Sequence, residues 1–239
     1  MSSCLVNSLT PKHGEGKCAI VTGASSGIGQ AIVSRLLAGG WRVIGVSRSR
    51  PAAESPHFQF MQLDLSNFDQ LRDALATISA VDAIVHAAGF LRTAPLGSLK
   101  TEDAQAMWSI HVEAAAIMVN SLVNRVADGG RIVLVGSRTS NGAAGRSQYA
   151  ATKAALLGMA RSWAAELLER RIAVNVVAPG ATETPMLLDP KRGSTPPRRS
   201  PMGRFLHPDE VAGTVEFLLG PDAGLITGQQ IVMCGGSSL

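Results

Sequence analysis

The residues that invite chemistry lie in "QYAATK", Gln148 to Lys153. Tyr149 is the only tyrosine of the chain, and Lys153 follows four residues later. In a helix that spacing stacks the two side chains on one face. A free phenol ionises near pH ~10, so at neutrality it is a poor proton donor and acceptor. A cation within a few ångströms stabilises the phenolate and lowers that value by about 1–3 units. So assisted, a tyrosine can act as a general acid–base, worth about 10²–10⁴-fold in rate. Taken alone, the same pair would equally suit a solvated helix surface.

A second chemical feature lies far upstream, in "TGASSGIG", 22–29. Gly23 permits a sharp turn, Gly27 lets a ligand come close, and Gly29 lets a helix pack on a strand. The start of that helix offers free N–H groups and the positive end of its dipole to a pyrophosphate. The spacing is G-x-x-x-G-x-G and departs from the G-x-G-x-x-G fingerprint, so its weight comes from its place between a strand and a helix.

The elements that must position these residues follow from periodicity. Apolar runs at 17–23, 41–47, 81–89, 130–137, 172–180 and 229–236, and an alternating stretch at 58–64, read as strands. Helical spacing marks 27–40, 68–78, a long helix from Thr101 to about Ala127, another from about Gln148 to Arg170, and 208–220. Glu102 and Asp103 fall in the first turn of the long helix, where the dipole favours them. Strands alternating with helices from end to end predict an α/β fold: a doubly wound, Rossmann-like parallel sheet of about seven strands with helices on both faces. Residues 1–16 read as a flexible tail and 17–239 as a single dinucleotide-binding domain. The Pro- and Arg-rich stretch at about 185–205 reads as a substrate loop within it.

Composition narrows the class. With 239 residues, 46% of them hydrophobic, the chain can bury a substantial core. The net charge of +4 is not gathered in one long run, and aromatics make up only 4%, so a nucleic-acid partner is not expected. Cys4, Cys18 and Cys234 are odd in number and widely spaced, which fits free thiols in a reducing, cytoplasmic setting and no metal site. No stretch reads as long and apolar enough to span a bilayer, so no membrane partner is expected.

Taken in order, "TGASSGIG", "LDL" at 63–65, "HAAG" at 86–89, Ser137 after a strand, "YAATK" at 149–153, "APG" at 178–180 and "DEVA…FLL…ITGQ…GG" near the end make the chain resemble a short-chain dehydrogenase/reductase of the compact single-domain branch. It resembles 3-oxoacyl carrier-protein reductase-like and carbonyl reductase members. The likeness runs from about Lys17 to Gly236. It implies that Tyr149 protonates a carbonyl oxygen as hydride arrives, or deprotonates the alcohol in reverse. Lys153 would lower the tyrosine's pKa and hold the nicotinamide ribose, and Ser137 would bind the substrate oxygen. Ser140 is the weaker candidate for that role.

Cofactor contacts are implied along the same motifs. The first turn supplies Gly23, Ser25, Ser26, Gly27, Ile28 and Gly29. Asp64, with Leu65 beside it, would meet the adenine. His86, Ala87, Ala88 and Gly89 would line the adenosine side, and Pro179, Gly180, Thr182 and Thr184 the nicotinamide. The family usually has Asn where this chain has His111 and His86. His111 is expected in the proton relay behind Lys153, where it could become cationic near pH ~6.5 and oppose the lysine. The final "MCGG" also replaces a common "DGG".

An Asp at the end of the second strand would select NAD, whereas Arg suits the 2′-phosphate of NADP. Here Ser47 stands at that place and Arg48 follows. NADP(H) is the expected cofactor, with NAD(H) as the alternative. The loop carries Lys191, Arg192, Arg198, Arg199 and Arg204, which could steer an anionic carbonyl substrate such as an acyl thioester. Met186, Leu187 and Leu188 could line an apolar pocket. Ala-rich faces in "EAAAIMV" and "AALLGMA" predict a homodimer or homotetramer. The functional reading is thus a carbonyl reductase or alcohol dehydrogenase, with a sensor that binds NADP(H) without turnover as the alternative.

Overall fold

The computed structural model describes residues 14, 16–187, 189 and 197–239. Seven strands form one parallel sheet: β1 (Cys18–Thr22), β2 (Arg42–Ser47), β3 (Phe58–Gln62), β4 (Val81–His86), β5 (Val126–Val135), β6 (Ala173–Pro179) and β7 (Gln230–Met233). Their spatial order is β3-β2-β1-β4-β5-β6-β7. The helices are α1 (Gly27–Ala38), α2 (Phe68–Ala76), α3 (Thr101–Trp108), α4 (Ala114–Leu122), α5 (Ser147–Glu166) and α6 (Pro208–Leu219).

Strand side chains alternate between two cores, because successive residues of a strand point to opposite faces. Ile20, Ile84, Ile132, Leu134, Val174 and Val176 meet α2, α4 and α5 through Leu71, Leu75, Met118, Leu122 and Leu156. Val21, Val85, Val133, Val135 and Val177 meet α1 and α6 through Ile32, Leu36, Val211, Val215 and Leu218. Burial on both faces explains why the inner strands read as continuous apolar runs, whereas β3 at the sheet edge alternates, with Gln59 and Gln62 exposed.

Three sequence expectations change. The long helix is not uniform: α3 passes into a π-helical segment, Ser109–Glu113, before α4, and a 3-10 turn at Val123–Arg125 ends it. β5 begins at Val126 and not at Gly130, because Val126 already pairs with Val81 before the ladder jumps to Arg131 opposite Ala83. Thr101–Arg125 is a 25-residue helical stretch in which an 18-residue window reaches a mean hydropathy of 1.3, so by length and composition alone it could cross a membrane, contrary to the reading above. Its apolarity has a use inside the fold: Ala114, Ala115, Met118, Val119 and Leu122 are all core residues.

Cys18 and Cys234 are free and buried. Cys4 lies outside the described residues, as does the expected tail 1–16 apart from Gly14 and Gly16.

Candidate active site

In this strand order the chain reverses direction across the sheet between β1 and β4. Ligands of open α/β sheets bind beyond the carboxyl ends of the strands at such a switch point. Thr22, His86, Val135 and Pro179 are the last residues of the four central strands.

The glycine turn opens there. Gly23 and Gly27 have φ of 72° and 55°, values that side chains disfavour. A Cβ on Gly29 would lie 2.2 Å from the Gly23 carbonyl oxygen, so only glycine lets α1 seat on its strand. Exposed Ser26 precedes α1 without capping it by its side chain, which leaves first-turn amides for an anion. Ser25 is half-buried, and Ile28 packs on the core. Across the turn, the Thr184 methyl approaches within 3.0 Å of where a Gly27 Cβ would sit. Thr184 donates to the Thr182 carbonyl, and buried Thr182 donates to that of Gly180. Two groups of expected cofactor residues thus converge. Open amides at a helix start, beside glycines that admit no Cβ, fit a dinucleotide pyrophosphate.

At the end of β2, Ser47 is buried and donates its hydroxyl to the Ser49 carbonyl at 2.8 Å. Arg48 beside it is exposed. Asp64 accepts the N–H and the hydroxyl of Ser66 at 2.9 and 2.7 Å. Those two bonds, and then the nearby Arg48 charge, hold its carboxyl below the ordinary range. Leu65 belongs to the core.

His86 departs from expectation. Its imidazole is 0% exposed and uses both nitrogens within the protein, 3.0 Å from the Thr22 hydroxyl and 3.0 Å from the Ile110 carbonyl oxygen. Thr22 Oγ1 in turn accepts the N–H groups of Ala87 and Ala88. The ring is fully enclosed and both of its nitrogens are taken up inside the protein. Burial, and next the Lys153 charge, push its pKa down to about 3.

At the chemical corner, Tyr149 and Lys153 lie on α5, 9% and 5% exposed. Lys153 Nζ donates to the Val135 carbonyl at 2.9 Å and lies 5.9 Å from the Tyr149 ring centre. This pair is not a surface pair. Burial pushes Lys153 down to about 7. Its cation is therefore fully present only below that pH, and its support for a phenolate weakens as pH climbs through it. Ser137 is buried after β5, accepts the Thr139 N–H at 3.2 Å and lies 2.6 Å from the Thr139 hydroxyl. Ser140 is committed elsewhere: Gln230 donates to its hydroxyl at 2.9 Å.

His111 sits in the π-helical segment, 0% exposed and edge-on to the Tyr149 ring at 5.6 Å. Its Nε2 accepts the Phe90 N–H at 3.1 Å and its Nδ1 lies 2.8 Å from the Thr152 hydroxyl. Burial first, and then the Lys153 charge, hold it well below the usual histidine range. It is thus neutral at neutral pH, not the competing cation the sequence allowed. A Cβ on Gly89 would meet His111 Nε2 at 2.9 Å and Lys153 Nζ at 3.4 Å, so all three share one corner.

Leu91 and Met107 cluster with Tyr149, with Phe90 and Met186 packed against them, making an apolar wall beside the phenol. Of the expected basic loop, Lys191, Arg192 and also Leu188 lie outside the described residues. Arg198 and Arg199 are exposed. Arg204 is claimed by Glu210 through two bonds of 2.7 Å. Sequence reasoning missed Thr22, Thr139 and Thr152. Each sits beside or within a motif, and its hydroxyl completes the motif's hydrogen bonds.

The chain as a whole is similar to known proteins. A family model described as Enoyl-(Acyl carrier protein) reductase matches residues 23–238. The 3-oxoacyl-(acyl-carrier-protein) reductase FabG of Vibrio cholerae is 37% identical over 93% of this chain and 97% of its own. Carbonyl reductase family member 4 of Xenopus tropicalis is 34% identical over 93% of this chain and 98% of its own. Among solved structures, a Burkholderia cenocepacia short-chain dehydrogenase in complex with NADP is 30% identical with a TM-score of 0.83, covering 95% of this chain and 100% of that one. A blue fluorescent protein from a metagenomic library, in complex with NADPH, is 32% identical with a TM-score of 0.83 over the same shares.

Proposed function

The chain belongs to the short-chain dehydrogenase/reductase family of NAD(P)-dependent oxidoreductases, and from that premise we propose that it moves hydride between NADP(H) and a ketone or secondary alcohol. The observation that carries this reading is the buried Lys153, one turn from Tyr149 and beside the strand end that leads to Ser137.

NADP(H) held at the glycine turn supplies or takes the hydride. Arg48, with no carboxylate at Ser47, favours the 2′-phosphate. Ser137 offers its hydroxyl to the substrate oxygen, which fixes where charge develops. Tyr149 gives its phenolic proton to that oxygen in reduction and takes it back in oxidation. Lys153 stabilises the phenolate and holds the nicotinamide ribose. His111 serves by position. On its far side, Thr152 leads to the Tyr149 carbonyl, which cannot take a proton onward.

The substrate class is read from the wall beside Tyr149 and from the relatives. Phe90, Leu91, Met107 and Met186 suit an acyl chain or an apolar ketone. A 3-oxoacyl thioester suits that wall by its acyl chain, and the exposed Arg198 and Arg199 suit an anionic carrier end. We also place a second copy of the chain in the groove of about 460 Å³ between α2, α4 and α5, lined by Ile117, Val119, Val123, Trp163 and Leu167.

The test is NADPH consumption by purified protein against a 3-oxoacyl thioester, neutral ketones and quinones. Tyrosine-dependent turnover supports the reductase. NADPH binding without turnover on any member would overturn it in favour of a sensor.

A further inference from the structure

His111 and Tyr149 are joined through a side chain that none of the roles above uses. Thr152 lies on α5 between Tyr149 and Lys153 and is 2% exposed. Its Oγ1 is 2.8 Å from the Tyr149 carbonyl oxygen and 2.8 Å from His111 Nδ1. A carbonyl only accepts, so the single hydroxyl proton of Thr152 goes to it. His111 Nδ1 must then carry a hydrogen and donate to Thr152. A neutral imidazole has one N–H, which leaves the lone pair on Nε2. The third bond agrees, because Nε2 accepts the Phe90 N–H. All three bonds demand the same tautomer.

The edge that keeps the lone pair is the one facing the lysine corner, where Gly89 brings His111 Nε2 and Lys153 Nζ together. The opposite tautomer would aim an N–H at the Phe90 N–H and toward the ammonium. His86 shows the reverse arrangement a few residues away in space. Its Nε2 lies against the Ile110 carbonyl and must donate, so its Nδ1 accepts from Thr22. One threonine accepts from its histidine and the other donates, and the two rings hold opposite tautomers.

We propose that Thr152 is a positioning residue that selects the Nδ1–H tautomer of His111 and thereby keeps a lone pair beside Lys153 and the Phe90 amide. With that pair in place, the 89–90 loop and the ammonium are held by attraction; with an N–H there, both are pushed away. The catalytic consequence rests on the reductase reading above, but the tautomer itself does not.

The experiment is ¹⁵N NMR of histidine-labelled full-length protein near neutral pH, for wild type, Thr152→Val and Thr152→Ser, with steady-state kinetics alongside. Expected in wild type is one buried histidine protonated at Nδ1, assigned to His111 by its loss in His111→Asn, and His86 protonated at Nε2. Thr152→Val leaves only the Phe90 N–H to fix the tautomer and strips the Nδ1–H of its acceptor, so the Nδ1–H fraction of His111 should fall, while the Nε2–H of His86 stays and reports that the variant is folded. Thr152→Ser should keep both. On the active substrate, Thr152→Val should lower kcat about tenfold with KM for NADPH changed less than about twofold, and Thr152→Ser should restore it. Wild-type His111 found protonated at Nε2, or an Nδ1–H fraction unchanged in Thr152→Val, overturns the proposal whatever the activity. A shifted tautomer with unchanged kcat overturns its role in the reaction. Should the wild type turn over no carbonyl at all, the reductase reading fails, and the wild-type spectrum still decides the tautomer.

Discussion

The corner around Tyr149 and the stretch that crosses the site after β6 are built by opposite means. In the corner, titratable groups are buried: Lys153 and two neutral histidines are at most 5% exposed, and their nitrogens are fixed on backbone or hydroxyl groups. Among the described residues of the stretch after β6, charge is exposed or pairs with other charge, as Arg204 does with Glu210 and Asp189 with Arg92. The difference teaches where each kind of information resides. Proton chemistry needs a few residue types held without freedom. Selectivity needs shape, which many side chains supply equally well.

Four measurements would break or sharpen that contrast. Tyr149→Phe removes the proton donor and little volume, so kcat should fall by about 10²–10⁴-fold while NADPH affinity, read by fluorescence titration, stays within about threefold. Retained turnover would end the corner's claim to the chemistry.

Acid should unfold the corner first. His86 titrates at about 3 in the fold and near 6.5 when unfolded, so the unfolded chain binds the proton first. Stability is full above pH ~6.5 and falls below it, by up to about 1.4 kcal/mol per pH unit for each such histidine. His111 shifts in the same direction. Urea unfolding against pH measures the slope, and His86→Asn should make it shallower. A slope unchanged in His86→Asn would mean that the His86 ring is not held neutral.

Arg48→Asp should cut the preference for NADPH over NADH by about 10–100-fold, the worth of one charge-assisted hydrogen bond. Equal preference before and after would remove Arg48 from the cofactor. Last and smallest, Arg204→Ala should change kcat/KM for an anionic thioester by less than about twofold, because that guanidinium is already engaged by Glu210. A larger loss would make the exposed stretch an anion guide after all.

Much of this was legible beforehand, for identifiable reasons. Inner strands buried on both faces leave continuous apolar runs and the edge strand β3 leaves an alternating one, so all seven were readable. The glycine turn was readable because a Cβ at Gly29 has nowhere to go. Tyr149 and Lys153 were readable because helical spacing fixes which side chains are neighbours. What stayed hidden depends on tertiary direction. A histidine's letter does not say whether it faces a ligand, as expected for His86, or a carbonyl inside the protein. Arg204 looked like part of a patch because its partner, Glu210, lies six residues on and across a proline. The apolar stretch 101–125 gave no sign of its change of winding, since π and α segments use the same residues.

That change of winding makes one rod do the work of two. Before it, α3 turns Met107 toward Tyr149; after it, α4 turns Ala114, Ala115 and Met118 into the sheet's core. The π-helical turn shifts the phase between the two ends, as one extra residue in an α-helix would, by about 100°. Removing a single residue from Ser109–Glu113 would therefore leave a smoother helix and a mis-aimed one. It could satisfy the core or face the phenol, but not both at once.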